Sequence, residues 1–227
     1  ALLELNAHGT DSAYEHLIDS SDEMVEPADI EHDDLWVILY TSGTTGHPKG
    51  AMITHGMTFW NVMNIITPFQ VSEDMVNLCV LPLFHTGGLN CFCNPAVLLG
   101  GVNLIMRSFD AGECLRLLQD PELCVTHMHA VPTIYLFMSQ QPSFKDADLS
   151  RVRSCGIGGS PTPIELLEVY KTKNIGLKQA FGMTEAILVS MLTSENAMDK
   201  IGSAGLPGLH TEVRIVDEKG NELKDAE

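Results

Sequence analysis

Leu35-Trp36-Val37-Ile38-Leu39-Tyr40-Thr41-Ser42-Gly43-Thr44-Thr45-Gly46-His47-Pro48-Lys49-Gly50 is an apolar run that breaks abruptly into small and hydroxyl-bearing residues. The run Leu35–Tyr40 predicts a strand. From Tyr40 through Gly50 there are three glycines, four Ser or Thr residues and one lysine. Glycine lets the backbone reach positive φ and come close to a ligand. Consecutive exposed N–H groups form a concavity for anions, hydroxyls donate to phosphate oxygens, and Lys49 adds a point charge. The order is not that of a Walker A loop, because no Gly-Lys-[Ser/Thr] triplet occurs and Pro48 precedes Lys49. A plain Gly/Ser/Thr-rich turn between a strand and the next element would share the glycines; the hydroxyl density and the single lysine favour phosphate binding.

Further along, short apolar runs alternate with longer helical patterns. The runs Val76–Leu81, Val102–Met106, Leu123–His127, Val152–Gly156 and Leu177–Ala180 predict strands. Helices are expected near 55–66, 87–99, 110–119, 132–140 and 162–172, the last capped by Ser160 or Thr162 with Pro161 and Pro163 at its start. This alternation implies an α/β fold with a mostly parallel sheet flanked by helices. Ligands in such sheets sit beyond the carboxyl ends of the strands. After about residue 187 the pattern turns β-rich, including Glu212–Val216, with a hairpin-like turn at Asp217–Asn221.

Acidic residues number 30 against 13 basic ones in 227 residues, a formal charge of −17. That balance argues against nucleic acid and anionic membrane as partners. Eleven of the acids fall in residues 1–34, where no Lys or Arg occurs, so this segment reads as a solvated acidic connector. No apolar stretch is long enough to cross a bilayer, and no basic n-region of a secretory signal opens the chain. The expected location is cytoplasmic. The six cysteines form no CxxC pair and several sit in apolar runs, which predicts buried thiols in a reducing compartment. Both ends read as cut through a longer pattern.

The run LYTSGTTGHPKG resembles the signature of the adenylate-forming (AMP-binding) enzymes: acyl-CoA synthetases, luciferases and peptide-synthetase adenylation domains. Three further motifs follow in that family's order: PLFHTGG at Pro82–Gly88, GIGGSP at Gly156–Pro161 and AFGMTE at Ala180–Glu185. A fifth, IGSAGLPG at Ile201–Gly208, looks like its Gly-rich turn. The resemblance runs from about residue 14 onward and is most like a fatty acyl-CoA synthetase, with the chain corresponding to part of the large N-terminal domain. It implies ATP or AMP, Mg²⁺ and coenzyme A as ligands, and a small carboxylic acid as substrate. A homodimer is a candidate assembly. Residues 35–186 would then be the nucleotide- and acyl-binding core, and 187–227 the start of a truncated β-rich subdomain.

By the same resemblance, Thr41, Ser42, Gly43, Thr44, Thr45, Gly46 and Lys49 would cradle the β- and γ-phosphates. Gly158, Gly159, Ser160 and Pro161, with Ala180, Phe181, Gly182, Met183 and Thr184, would hold AMP. Phe181 would lie against adenine where most relatives carry Tyr, Thr184 would touch the α-phosphate, and Glu185 would hold Mg²⁺ through hard carboxylate oxygen. His85, Gly87, Val131, Gly156 and Ile157 would bound the acid, with His85 positioning negative charge more than shuttling protons. His85, Thr184 and Glu185 are the expected catalytic set. His127 and His129, on one alternating face, read as structural.

Amino-acid-activating relatives carry an Asp near the His85 motif, whereas Phe84–Val97 has no acidic residue. A fatty or aryl acid therefore fits better than an amino acid. The alternatives are a luciferase-like or adenylation-domain activity on another carboxylate, a non-catalytic nucleotide-binding module, and a P-loop phosphotransferase, which the missing Walker order disfavours. The acid that holds the ribose, the hinge and the small domain bearing the family's catalytic lysine have no counterpart within Gly205–Glu227, so this chain alone is expected to be inactive.

Overall fold

The computed structural model describes residues 13–21, 26, 28–43, 46–193, 195–197, 199–200 and 202–223. The chain divides into two compact units, 1–30 and 31–227. Among the described residues, the first holds helix α1 (Ala13–Asp19).

The larger unit is built on a seven-stranded sheet in the order β4-β3-β5-β6-β7-β8-β9. Its strands are β3 (Val76–Cys79), β4 (Val102–Ile105), β5 (His127–Ala130), β6 (Ser154–Gly158), β7 (Leu177–Met183), β8 (Ile187–Met191) and β9 (Leu206–Pro207). The ladders from β4 through β7 are parallel, and β8 and β9 add antiparallel strands. The fold is thus α/β with a mostly parallel sheet flanked by helices. The stretch after residue 187 continues this same sheet. Glu212–Val216 forms no ladder; Val216 makes a single bridge to Glu222 around the Asp217–Asn221 turn.

The first predicted strand takes a different place. β1 (Leu35–Thr41) pairs antiparallel with β2 (Lys49–Thr54), a strand the sequence reading did not anticipate, in a separate two-stranded hairpin. The glycine-rich loop is the turn of that hairpin and does not follow a strand of the parallel sheet. In β2, Ala51 and Ile53 point inward and Met52 outward, the period of two that marks a half-buried strand.

β5 begins four residues later than the apolar run Leu123–His127 suggests. Asp120 Oδ1 accepts from the backbone N–H of Glu122 and Leu123, and Cys124 sits at φ 51°, so the chain turns through 121–124 before the ladder starts.

Two cores enclose the sheet. On one face, α5 (Ala111–Gln119), α6 (Pro132–Ser139) and α7 (Ile164–Lys171) pack on Leu78, Met128, Cys155, Ile157 and Leu177. α7 starts at Ile164 and has no side-chain cap, in place of the expected Ser160 or Thr162. The other core holds α2 (His55–Phe69) and the inward face of the hairpin (Leu39, Ala51, Ile53), together with Ala180, Ile187 and Leu188. Thr54 caps α2 by accepting from the Met57 N–H.

Residues 86–99 form one interrupted helix: α3 (Thr86–Gly88), a π-helical turn (Leu89–Cys93) and α4 (Asn94–Leu99). A π-turn frees backbone carbonyls. Here buried Asn61 donates to the Asn90 carbonyl at 2.9 Å, and Asn103 donates to that of Cys93 at 2.9 Å. Asn61 also accepts from the Leu188 N–H, tying α2, the π-turn and β8 together. Five of the six cysteines are buried, Cys124 is exposed, and none is paired.

Candidate active site

The parallel ladders bring four segments to one edge of the sheet. Residues 81–88 follow β3, Val131 follows β5, Gly159–Pro161 follow β6, and Thr184–Ala186 follow β7. A cavity of about 400 Å³ opens there.

Much of its wall is backbone, and the glycines explain why. A Cβ on Gly158 would stand 2.7 Å from the Ala180 carbonyl on the neighbouring strand. Gly159 has φ +83°, which admits a tight turn past Val131. A Cβ on Gly182 would fall 1.9 Å from the Ile187 carbonyl. That close approach accompanies a register shift between Phe181 and Gly182. The bulge lets Gly182, Met183 and Thr184 all reach the cavity.

The turn Thr184–Ala186 closes the β7–β8 hairpin, and Ile187, directly after it, adopts φ 59°. A β-branched residue in this region is strained. Ile187 is 2% exposed and belongs to the second core, so its burial holds the strained turn in place. The turn thereby presents Thr184 and exposed Glu185 at the ligand edge.

His85 precedes α3 and its Nδ1 accepts from the Gly87 N–H at 3.0 Å. That bond fixes the ring and leaves Nε2 as the nitrogen that bears the proton. A Cβ on Gly87 would lie 3.2 Å from this Nδ1, so a small residue there keeps the imidazole seated.

His85, Gly87, Val131, Gly158, Gly159, Ala180, Gly182, Met183 and Thr184 therefore share one cavity. Glu185 lines an adjoining cleft with Thr54, Asn61 and Leu188. Phe181 is half exposed on its strand and takes no part in the cavity wall. Ser160 and Pro161 line a shallow groove beside α6 and α7. Gly156 and Ile157 do not border the cavity. Gly156 is buried against His129 and Phe69, and Ile157 packs in the core on the opposite face of the sheet. Alternation along β6 is the reason: Gly156 and Gly158 face one side, Ile157 the other.

Among the described loop residues, Thr41 Oγ1 donates to the Lys49 carbonyl, and Gly43 and Gly46 have φ +62° and +83°. A Cβ on Gly43 would strike the His47 carbonyl at 2.3 Å. Ser42 and Lys49 are exposed, and Thr44 and Thr45 lie outside the described residues.

Sequence reading missed Leu81, Thr86, Cys91, His129 and Leu188 as wall residues. His129 carried a usable signal, its place near the carboxyl end of a parallel strand, but β5 was placed four residues too early. Burial and the neighbouring Cys79 push the Cys91 thiol up to about 12, so it stands neutral in the wall. None of the described residues lining the cavity carries a carboxylate or an ammonium group, so a cationic substrate would find no counter-charge among them.

The profile of the AMP-binding enzyme family matches residues 3–227. A feruloyl-CoA synthase of Amycolatopsis sp is 36% identical over 92% of this chain, which spans 43% of that protein. The long-chain-fatty-acid–CoA ligase FadD13 of Mycobacterium tuberculosis is 36% identical over 93% of the chain, which spans 42% of it. The inhibitor-bound N-terminal domain of FACL13 from the same organism superposes with a TM-score of 0.84 at 33% identity. That match covers 94% of this chain and 53% of the other. The chain thus spans about half the length, or less, of these relatives.

Proposed function

We propose, because the chain belongs to the AMP-binding enzyme family, that the protein containing it is an acid–thiol ligase. It would activate a carboxylic acid with ATP and pass the acyl group to coenzyme A. The observation that carries this reading is the uncharged, glycine-walled cavity flanked by His85 and the Thr184–Glu185 turn.

In the first step a carboxylate oxygen attacks the α-phosphorus of ATP. The bond from that phosphorus to the bridging oxygen breaks, and pyrophosphate leaves with the electron pair. In the second step the thiol sulfur of coenzyme A attacks the acyl carbon, loses its proton, and AMP departs. Positioning and charge neutralisation are the protein's main contributions. Lys49 and the hydroxyls of the hairpin loop would hold the terminal phosphates, and Thr184 the α-phosphate. Phe181 would take one face of adenine, outside the acyl cavity. Nε2–H of His85 would donate to the reacting carboxylate.

An exposed carboxylate suits Mg²⁺, which keeps several waters and takes one or two protein oxygens plus phosphates. Glu185 supplies such an oxygen, and the ion would neutralise phosphate charge.

The names of the FadD13 and feruloyl-CoA synthase relatives support a fatty or an aryl acid, and the uncharged wall supports either over an amino acid. The test is a panel of fatty, aryl and amino acids given to the full-length protein, with pyrophosphate and AMP release measured. Activation confined to amino acids would overturn the reading. Tight ATP binding without pyrophosphate release would favour a non-catalytic nucleotide module.

A further inference from the structure

We propose that His129 recognises a hydroxyl group on the tail of the acid substrate. This deepens the acid-activation reading above and rests on it.

His129 sits on β5 and borders the cavity alongside Cys91, Val131 and Gly158. It is only 8% exposed. Nδ1 is fully enclosed without a hydrogen-bond partner, and neither ring nitrogen bonds to any of the described residues. The ring instead meets Phe92 edge-on at 5.5 Å. Its Cε1, between the two nitrogens, lies 3.8 Å from where a Cβ of the cavity residue Gly158 would stand. Gly156 is what lets the ring lie there, since a Cβ at that position would come within 2.4 Å of Nδ1.

Contrast its strand neighbour. His127 donates from Nε2 to the carbonyls of Phe69 and Gln70, at 3.0 and 3.2 Å, and accepts at Nδ1 from Thr126 Oγ1 at 2.7 Å. Both imidazoles are held neutral by burial, near pKa 4. His127 satisfies both nitrogens within the fold, and His129 satisfies neither. A buried polar group left unpaired costs roughly 1–3 kcal/mol. Such a group calls for an explanation, and a ligand that completes it supplies one.

Among the described residues of the wall, none hydrogen-bonds to the ring. Thr86 Oγ1 is engaged by Asn90, and Val131 and Leu188 are apolar. A neutral imidazole has one donor and one acceptor. Nδ1 is closed off against Gly156, so the nitrogen left for a ligand is Nε2; a hydroxyl can accept from it or donate to it, whichever tautomer is present, while a plain alkyl or aryl tail would seal it away from water.

The experiment uses the full-length protein and matched pairs of arylpropenoic and alkyl acids. Each pair differs by one hydroxyl, placed at successive tail positions, and kcat/KM is read by pyrophosphate release. The expected result is a preference of roughly 10-fold or more for the hydroxylated acid at one or more positions. In His129→Leu that preference should fall below about 3-fold; His129→Gln, which keeps a donor and an acceptor, should retain part of it. Equal efficiency on both members of every pair overturns the assignment of His129 alone. So does a His129→Leu variant that loses both members equally while melting as wild type. No release with any acid overturns the acid-activation reading, and this assignment with it.

Discussion

Ile187 sets two effects against each other. Its φ of 59° carries a penalty of about 1–2 kcal/mol for a residue with a Cβ. Its side chain is 2% exposed, and emptying such a site costs about 2–5 kcal/mol. Burial wins, so Ile187→Gly should lower stability by roughly 1–4 kcal/mol despite relieving the backbone. A chemical-denaturation midpoint at or above wild type would reject this account of the turn. A second residue-scale expectation concerns His127 and His129. An unfolded histidine takes up its proton near 6.5, and these two resist protonation down to about 4. Between those values the unfolded chain binds more protons, so stability is lost as pH falls from about 6.5 toward 4. Melting temperature measured across that window should fall less steeply in His129→Leu. A parallel decline in both proteins would remove His129 from the titration. His85, Gly87, Thr184 and Glu185 were legible because runs of specific residue types surround them. His129 was not, since its role depends on a strand boundary and on Gly156 leaving space beside the ring.

At the level of elements, period-two and helical patterns were enough to find five of the parallel-sheet segments and their helices. They failed where hydrogen bonds, and not hydrophobicity, set the boundary. The Asp120 turn delays β5, and β2 is short enough that Pro48 and Gly50 mask its alternation. The amide network was invisible for the same reason, because nothing in the sequence pairs Asn61 with Asn90 across 29 positions. Asn61→Leu would leave the Asn90 carbonyl and the Leu188 N–H without a side-chain partner. A loss of roughly 2–3 kcal/mol in unfolding free energy is expected, together with weaker hydrogen-exchange protection in the π-turn. Unchanged stability would mean the π-turn is held by packing alone. The β1–β2 loop carries the other element-scale expectation. If Lys49 holds a phosphate by a charge-assisted bond, Lys49→Ala in the full-length protein should raise the KM for ATP by roughly 10-fold or more. The KM for the acid should stay near wild type. Equal changes in both constants would assign Lys49 to the fold of the hairpin.

Across the whole molecule, the sheet gathers the cavity-lining elements while leaving much apolar surface uncovered. Ile38, Tyr40 and Met52 on the outward face of the hairpin are each between 46% and 76% exposed. At the sheet's edge, Val102 and Ile105 of β4 are about half exposed. Contiguous apolar surface of this kind marks a contact face, and the chain spans only 43% of the feruloyl-CoA synthase it matches. The net charge of −17 adds that a polyanionic nucleotide is not drawn in by the overall field and must be held by local groups. In the proposed reading Thr184 and His85 in the cavity, and Glu185 of the adjoining cleft through Mg²⁺, would supply such groups, but the described residues include no carboxylate lining the cavity to grip a ribose. The 227-residue chain assayed by itself with ATP, Mg²⁺ and a good acid substrate of the full-length protein is therefore expected to release no pyrophosphate above background. The full-length protein should turn over under the same conditions. Comparable turnover by the chain alone would show that these three residues and the hairpin loop suffice for adenylation, and that the missing interactions serve only the transfer to coenzyme A.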